Sequence, residues 1–173
     1  MTTPLRHIVI LGPMGVGKTT VGTLVADQLG WPFVDSDRVI EALHGKTGRR
    51  IAADAGVARL HRIEAEVFGE ALRFDPPSVI APAASVADHA ILLDRLGDRE
   101  VVVVALECDP DILETRAATS RHRRGLDAAT ALELMARRRD SIAQHVGLTI
   151  DVTTADPHDT AGEIVTFLDA SPA

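Results

Sequence analysis

The sequence predicts an α/β protein, a three-layer α/β/α sandwich whose middle layer is a five-stranded parallel sheet. Three observations predict it. Short apolar runs alternate with longer stretches at helical spacing along the whole chain, which is the pattern of β-α-β units. One run, Val101-Val102-Val103-Val104-Ala105-Leu106, is apolar without a break, as a strand covered on both faces must be. A glycine-rich turn, Gly12 to Gly17, sits between the first apolar run and the first helical stretch. The 173 residues fit a single domain spanning 1–173, and no linker, repeat or low-complexity segment divides them.

In chain order, the first strand is His7–Leu11 and the first helix Thr19–Leu29, stopped by Gly30. A second strand, Trp31–Asp35, ends in Asp35-Ser36-Asp37 and leads into a helix from Arg38 to Leu43. Arg49 to Ala53 reads as a short helical turn. A longer helix runs from Val57 to Arg73, with Leu60, Ile63, Val67 and Leu72 as its apolar stripe and His61, Arg62, Glu64 and Glu66 off it. Ser78–Ala81 is the third strand, and Asp88–Leu96 a helix stopped by Gly97. Glu100–Glu107 is the fourth strand and belongs in the sheet interior. Asp109 caps a helix beginning at Pro110 and reaching Ala118. A basic loop, 119–126, precedes a long helix from Asp127 to Val146. Leu148–Val152 is the fifth strand, and Asp159–Leu168 closes the chain as a helix.

Composition narrows the function. The net charge of −7 argues against nucleic acid and anionic membranes as partners. Aromatics make up 3% with no tyrosine, too few for a base-stacking surface. The lone cysteine, Cys108, suits a reducing compartment and reads as packing filler at a strand end. No signal peptide precedes the first strand and no apolar run approaches membrane length, so a cytoplasmic protein is expected.

Gly12-Pro13-Met14-Gly15-Val16-Gly17-Lys18-Thr19 fits G-x-x-x-x-G-K-[ST], a phosphate-binding loop in its required context of strand before and helix after. Backbone N–H groups from Gly15 to Thr20 and the helix N-terminus would converge on phosphate oxygens. Lys18 would reach the β and γ phosphates of ATP, and the Thr19 hydroxyl would ligate Mg²⁺.

Asp35 and Asp37 stand at the carboxyl end of a strand, where open α/β sheets place their sites. If the extended geometry persists, both side chains face one side. One would then organise the Mg²⁺ shell and the other accept a hydroxyl proton. The competing reading is structural: Asp35 ends the strand and Asp37 caps a helix. Arg121-His122-Arg123-Arg124 reads either as a closing lid whose arginine stabilises a transferred phosphoryl group or as a solvated turn. Arg137-Arg138-Arg139 points in three directions, so at most one or two can reach a site.

Taken together, these residues resemble the shikimate kinases, small P-loop enzymes of the nucleoside-monophosphate-kinase-like group. The likeness covers nearly the whole chain. It rests on Leu11 to Gly22, Phe33-Val34-Asp35-Ser36-Asp37 with Ile40-Glu41, Thr47-Gly48-Arg49-Arg50-Ile51, Arg62-Ile63-Glu64, Arg116 with Arg123, Leu134 to Arg138, and Asp156-Pro157. The resemblance implies the strand order 2-3-1-4-5 and a place in aromatic amino acid biosynthesis. It makes Asp35 the Mg²⁺-shell carboxylate and Asp37 the base that binds the acceptor hydroxyl. Arg116 and Pro157 fall beside adenine, Arg123 on the lid, and Arg138 against the acceptor carboxylate. A substrate region spans about 36–75, lined by His61 and Glu64, with Ala84 opposite.

The chain departs from that family pattern in the acceptor half. His61 stands where the family carries an arginine, Ala83-Ala84-Ser85 where it carries three glycines, Arg124 where a proline follows the lid arginine, and Ile142 where a tyrosine is expected. The sequence therefore predicts an ATP-dependent kinase of a small hydroxylated acceptor, monomeric, for which shikimate is at best a poor substrate. Competing expectations are a nucleotide-binding homologue with a regulatory role, or a kinase of a cyclitol, sugar or nucleoside.

Overall fold

A computed structural model describes residues 7–75, 77–118 and 128–170. Five parallel strands, β1 (His7–Leu11), β2 (Phe33–Asp35), β3 (Val79–Ala81), β4 (Val101–Glu107) and β5 (Leu148–Asp151), form one sheet in the order β2-β3-β1-β4-β5. The predicted α/β fold and strand order are both present. β1 pairs in register with β3 (Ile8 with Val79) and with β4 (Ile8 with Val102), so the phosphate loop leaves the centre of the sheet.

Alternation along the strands divides the core. Ile8, Ile10, Val102, Val104 and Leu106 face helices α1 (Lys18–Leu29) and α8 (Pro157–Ala170). Val9, Leu11, Ile80 and Val103 face the other side. There they meet α4 (Val57–Ala71) through Phe68, Ala71 and the following Leu72, α5 (Ala90–Leu96) through Leu92 and Leu96, and α7 (Ala128–Ile142) through Ile142. A third cluster of Ile40, Ile51, Ile63 and Val67 joins α2 (Ser36–His44) and α3 (Gly48–Ala55) to α4. Each such side chain, withdrawn from water, contributes about 1.5–3 kcal/mol. Phe68, fully buried, was absent from the predicted stripe of α4.

Several boundaries correct the sequence reading. The turn expected at Arg49 to Ala53 is a full helix, α3, because Thr47 caps it by accepting from the Arg50 N–H at 3.3 Å. The helix expected from Asp88 is preceded by a 3₁₀ turn, Ala84–Asp88, and α5 begins at Ala90. The long helix expected to reach Val146 ends at Ile142 in another 3₁₀ turn, Ala143–His145. The last helix starts at Pro157, two residues early, with the Asp156 side chain accepting from the His158 N–H at 2.7 Å. α6 (Pro110–Ala118) begins as predicted, and Asp109 Oδ1 accepts from the Asp111 N–H at 2.8 Å. Among the described residues no helix is long and apolar enough to cross a membrane.

Candidate functional site

The site gathers at the carboxyl ends of β1, β2 and β3. Leaving β1, the chain must turn sharply and pass close under β4. At Gly12 (φ 151°) a Cβ would come within 2.6 Å of the Leu106 carbonyl oxygen, so only glycine fits. Gly15 (φ 81°) and Gly17 (φ 110°) take left-handed conformations that shape the loop, while Val16 is buried beneath it. α1 starts at Lys18, and the first-turn N–H groups of Lys18, Thr19 and Thr20 have no helical partner to bond. They form an anion-binding end. Lys18 folds back over the loop and donates to the carbonyls of Gly12 (2.9 Å) and Pro13 (3.1 Å). Burial is the main cause that lowers its pKa to about 8, opposed by the nearby charges of Asp37 and Asp35.

Thr19 and Asp35 meet. The Thr19 hydroxyl donates to Asp35 Oδ2 at 2.7 Å, and Asp35 is buried. The other oxygen, Oδ1, accepts from the N–H groups of Asp37 (3.0 Å) and Arg38 (3.3 Å). Asp35 therefore caps α2. This corrects both sequence readings of the pair. Extended backbone ends at Asp35 and helix begins at Ser36, so the two carboxylates do not share a strand face, and Asp37 is not the cap. Asp37 instead rides exposed in the first turn of α2, where its charge acts on Lys18 and Glu64.

A hydroxyl and a carboxylate are hard oxygen donors. Among the described residues no group of three or more His, Cys, Asp or Glu could hold a metal ion. One or two protein oxygens suit Mg²⁺, which keeps its waters and shares phosphate oxygens. The donor set fits a metal that arrives with its nucleotide.

The residues that the family resemblance assigns to an acceptor lie on α4, the 3₁₀ turn and α7. His61 and Glu64 lie three residues apart on one face of α4. Glu64 is 8% exposed, which corrects its place off the apolar stripe. Burial raises its pKa, and a hydrogen bond donated by the buried Ser85 hydroxyl acts against the rise. Ala83, Ala84 and Ser85 occupy the position expected for three glycines. They do so without strain, since no non-glycine residue among those described has positive φ. Ala84 is half-buried.

Of the three consecutive arginines, Arg138 turns inward. Its Nε lies 3.2 Å from both carboxylate oxygens of Asp88, and its Nη2 donates to Oδ2 at 2.6 Å. This bond is the largest cause of a lowered Asp88 pKa. Arg137 approaches the same carboxylate at 3.9 Å, and Arg139 approaches Glu107 at 3.8 Å. His61 stands edge-on to His89, with ring centroids 6.5 Å apart.

Sequence reasoning did not find Asp88 or His89, and it marked Ser85 as part of the altered triplet without its hydrogen bond to Glu64. Asp88 and Arg138 are 50 residues apart, and no spacing rule joins them.

The nucleotide-end residues lie elsewhere on the sheet. Arg116 donates through Nη2 to the carbonyls of Val152 and Thr153, each at 3.2 Å, and so anchors α6 to the chain leaving β5. Pro157 opens α8 a few residues on, and Cys108 packs against the core, with Arg116 Nη1 3.6 Å from its Sγ. Arg123 and the rest of the expected lid, 119–126, lie outside the described residues.

Comparison with known proteins adds the following. The family model for shikimate kinase matches residues 14–169. Shikimate kinase from Symbiobacterium thermophilum is 36% identical over 167 residues, covering 92% of this chain and 94% of that protein. Shikimate kinase from Thermobifida fusca is 31% identical, covering 94% and 95%. The structure of shikimate kinase from Acinetobacter baumannii in complex with shikimate superimposes with a TM-score of 0.84 at 26% identity, over 96% of this chain and 94% of that one. A gluconokinase from Sinorhizobium meliloti, 20% identical, shares the fold with a TM-score of 0.65.

Proposed function

The chain belongs to the shikimate kinase family of small-molecule kinases, and from that premise we propose an ATP- and Mg²⁺-dependent transfer of phosphate to a hydroxyl of a small acceptor, with Asp37 as base. The observation that carries this reading is the phosphate loop with Lys18 folded over it, joined through the Thr19–Asp35 hydrogen bond to the helix that presents Asp37.

The loop N–H groups and Lys18 hold the β and γ phosphates. Thr19 and Asp35 would hold Mg²⁺, which would supply neutralisation of phosphate charge. Asp37 accepts the acceptor hydroxyl proton as the oxygen attacks the γ phosphorus and ADP leaves. By the family resemblance, Arg123 would stabilise the transferred group, and Arg116 and Pro157 would flank adenine. His61, Glu64, Ala84 and Arg138 line the acceptor pocket. The lone cysteine suits a reducing compartment, and we place the enzyme in the cytoplasm as a monomer.

Acceptor-dependent ADP release from Mg-ATP, measured against shikimate, quinate, cyclitols, sugars and nucleosides, tests the reading. At least one should be turned over, and Lys18→Ala should abolish it. No release with any acceptor would refute phosphoryl transfer.

A further inference from the structure

We propose that the acceptor of this enzyme carries no carboxylate, because Asp88 already occupies the arginine that would receive one; the acceptor is an uncharged polyhydroxylated molecule. The inference rests on the phosphotransferase reading above and names the substrate class of the same site.

An arginine holds a carboxylate through two adjacent N–H donors, and Nε with Nη2 is such an edge. In this protein that edge of Arg138 is spent on Asp88. The two side chains are 20% and 25% exposed, and the pair lies at the rim of the site. Arg138 belongs to the site, since its charge acts on both Lys18 and Glu64.

Among the described residues, neither Lys18 nor His61 replaces it. Lys18 lies over the phosphate loop and serves the nucleotide. His61 occupies the second arginine position, and an imidazole lacks the guanidinium's two-pronged grip. Arg138 acts on the carboxyl groups of both Glu64 and Asp88, and the charge of Asp37 also reaches Glu64. An anionic acceptor would have to displace Asp88 from Arg138, leaving it only the more distant Arg137, or share Arg138 through its Nη1 side with Asp88's charge beside it, or sit beside Asp37 and Glu64. An uncharged acceptor faces none of these penalties. Its hydroxyls can donate to Asp37 and Glu64, which are acceptors when ionised.

Shikimate and its methyl ester differ at the group in question, so they are the probes. Calorimetry would measure their binding, with ADP and Mg²⁺ present, to the unmodified protein and to Asp88→Asn and Asp88→Ala. The unmodified protein should bind the ester more tightly than the acid. Both substitutions should tighten the acid by about tenfold, the scale of one charge-assisted hydrogen bond, and leave the ester nearly unchanged. An acid bound at least as tightly as the ester by the unmodified protein would overturn the proposal. So would an acid affinity that rises less than about fivefold in both variants, including no detectable binding to any of the three proteins. Turnover of neutral polyols is a separate reading: no ADP release alongside a preserved ester preference would sink phosphoryl transfer and leave the acceptor class standing.

Discussion

Removing the Ser85 hydroxyl should destabilise the protein by an amount that grows with pH. Ser85 donates to Glu64, and both are buried. Burial raises the pKa of Glu64 above its unfolded value of 4.5, so the folded chain holds that proton more firmly. Stability accordingly falls as pH rises through the interval between the two values. Ser85→Ala removes the donor that restrains the rise, which extends the interval to higher pH. At pH 4 the carboxyl is protonated with or without Ser85, and the loss is a neutral hydrogen bond, about 0.5–1.5 kcal/mol. Once pH is high enough to ionise Glu64 in the folded chain, with pH 8 as the test point, the lost bond is to a charged group, about 1.5–3 kcal/mol. With a urea slope of about 2 kcal/mol per molar, the midpoint should drop by about 0.5 M at pH 4 and about 1 M at pH 8. Urea titrations of both proteins at both pH values give the answer. In a Glu64→Gln background the pH dependence of the Ser85→Ala cost should vanish. Equal midpoint losses at pH 4 and pH 8 would refute a charged, buried Glu64 held by Ser85.

Three further outcomes are expected. ATP should bind the free enzyme more weakly by up to about tenfold per unit above pH 8, because Lys18 loses its charge there; without ligand, the protein should instead gain stability between pH 8 and 10.5, where the unfolded chain binds more protons, and Lys18→Met should remove both effects in titration calorimetry and denaturation. Asp37→Asn should lower kcat by about a hundredfold or more with ATP affinity and melting temperature little changed, since the cap of α2 is Asp35; a large loss of stability instead would show that Asp37 is structural. Gly22→Ala should cost about 1–3 kcal/mol in thermal or chemical denaturation, because an added Cβ overlaps the Phe33 ring, and an unchanged midpoint would show that α1 and β2 tolerate separation.

The phosphate loop was legible because its chemistry is local: glycines, lysine and threonine at fixed offsets between a strand and a helix. β4 was legible because an unbroken apolar run admits few other readings, and the start of α6 because Asp109-Pro110 is a capping pair. Asp35 and Asp37 were legible as candidates beside the phosphate loop and not as geometry. Strand periodicity cannot show that Ser36 already turns into a helix, which the Asp35 side chain makes possible by accepting two N–H groups. Glu64 looked like a solvent-facing residue because a carboxylate scores as polar whatever lies opposite. Only the tertiary fold brings Ser85 to it. Asp88 was invisible for the same reason, since its partner belongs to a helix that arrives 50 residues later.

The contact between Gly22 and Phe33 lets α1 lie flush against β2, and a few residues away the Thr19 hydroxyl ties the same two elements together through Asp35. Two attachments along one seam leave α1 and β2 little freedom to part. Asp35 is at once the far anchor of that seam and the cap of the helix carrying Asp37, so the metal end and the acceptor end are mechanically in series. A cation bound to Asp35 Oδ2, or to a lone pair of the Thr19 oxygen, would pull on this seam, and the same Asp35 carboxylate accepts from the first turn of α2 through Oδ1. Acceptor affinity should therefore differ between metal-loaded and metal-free nucleotide complexes, and thermodynamic reciprocity requires the acceptor to change the affinity for the metal by the same factor.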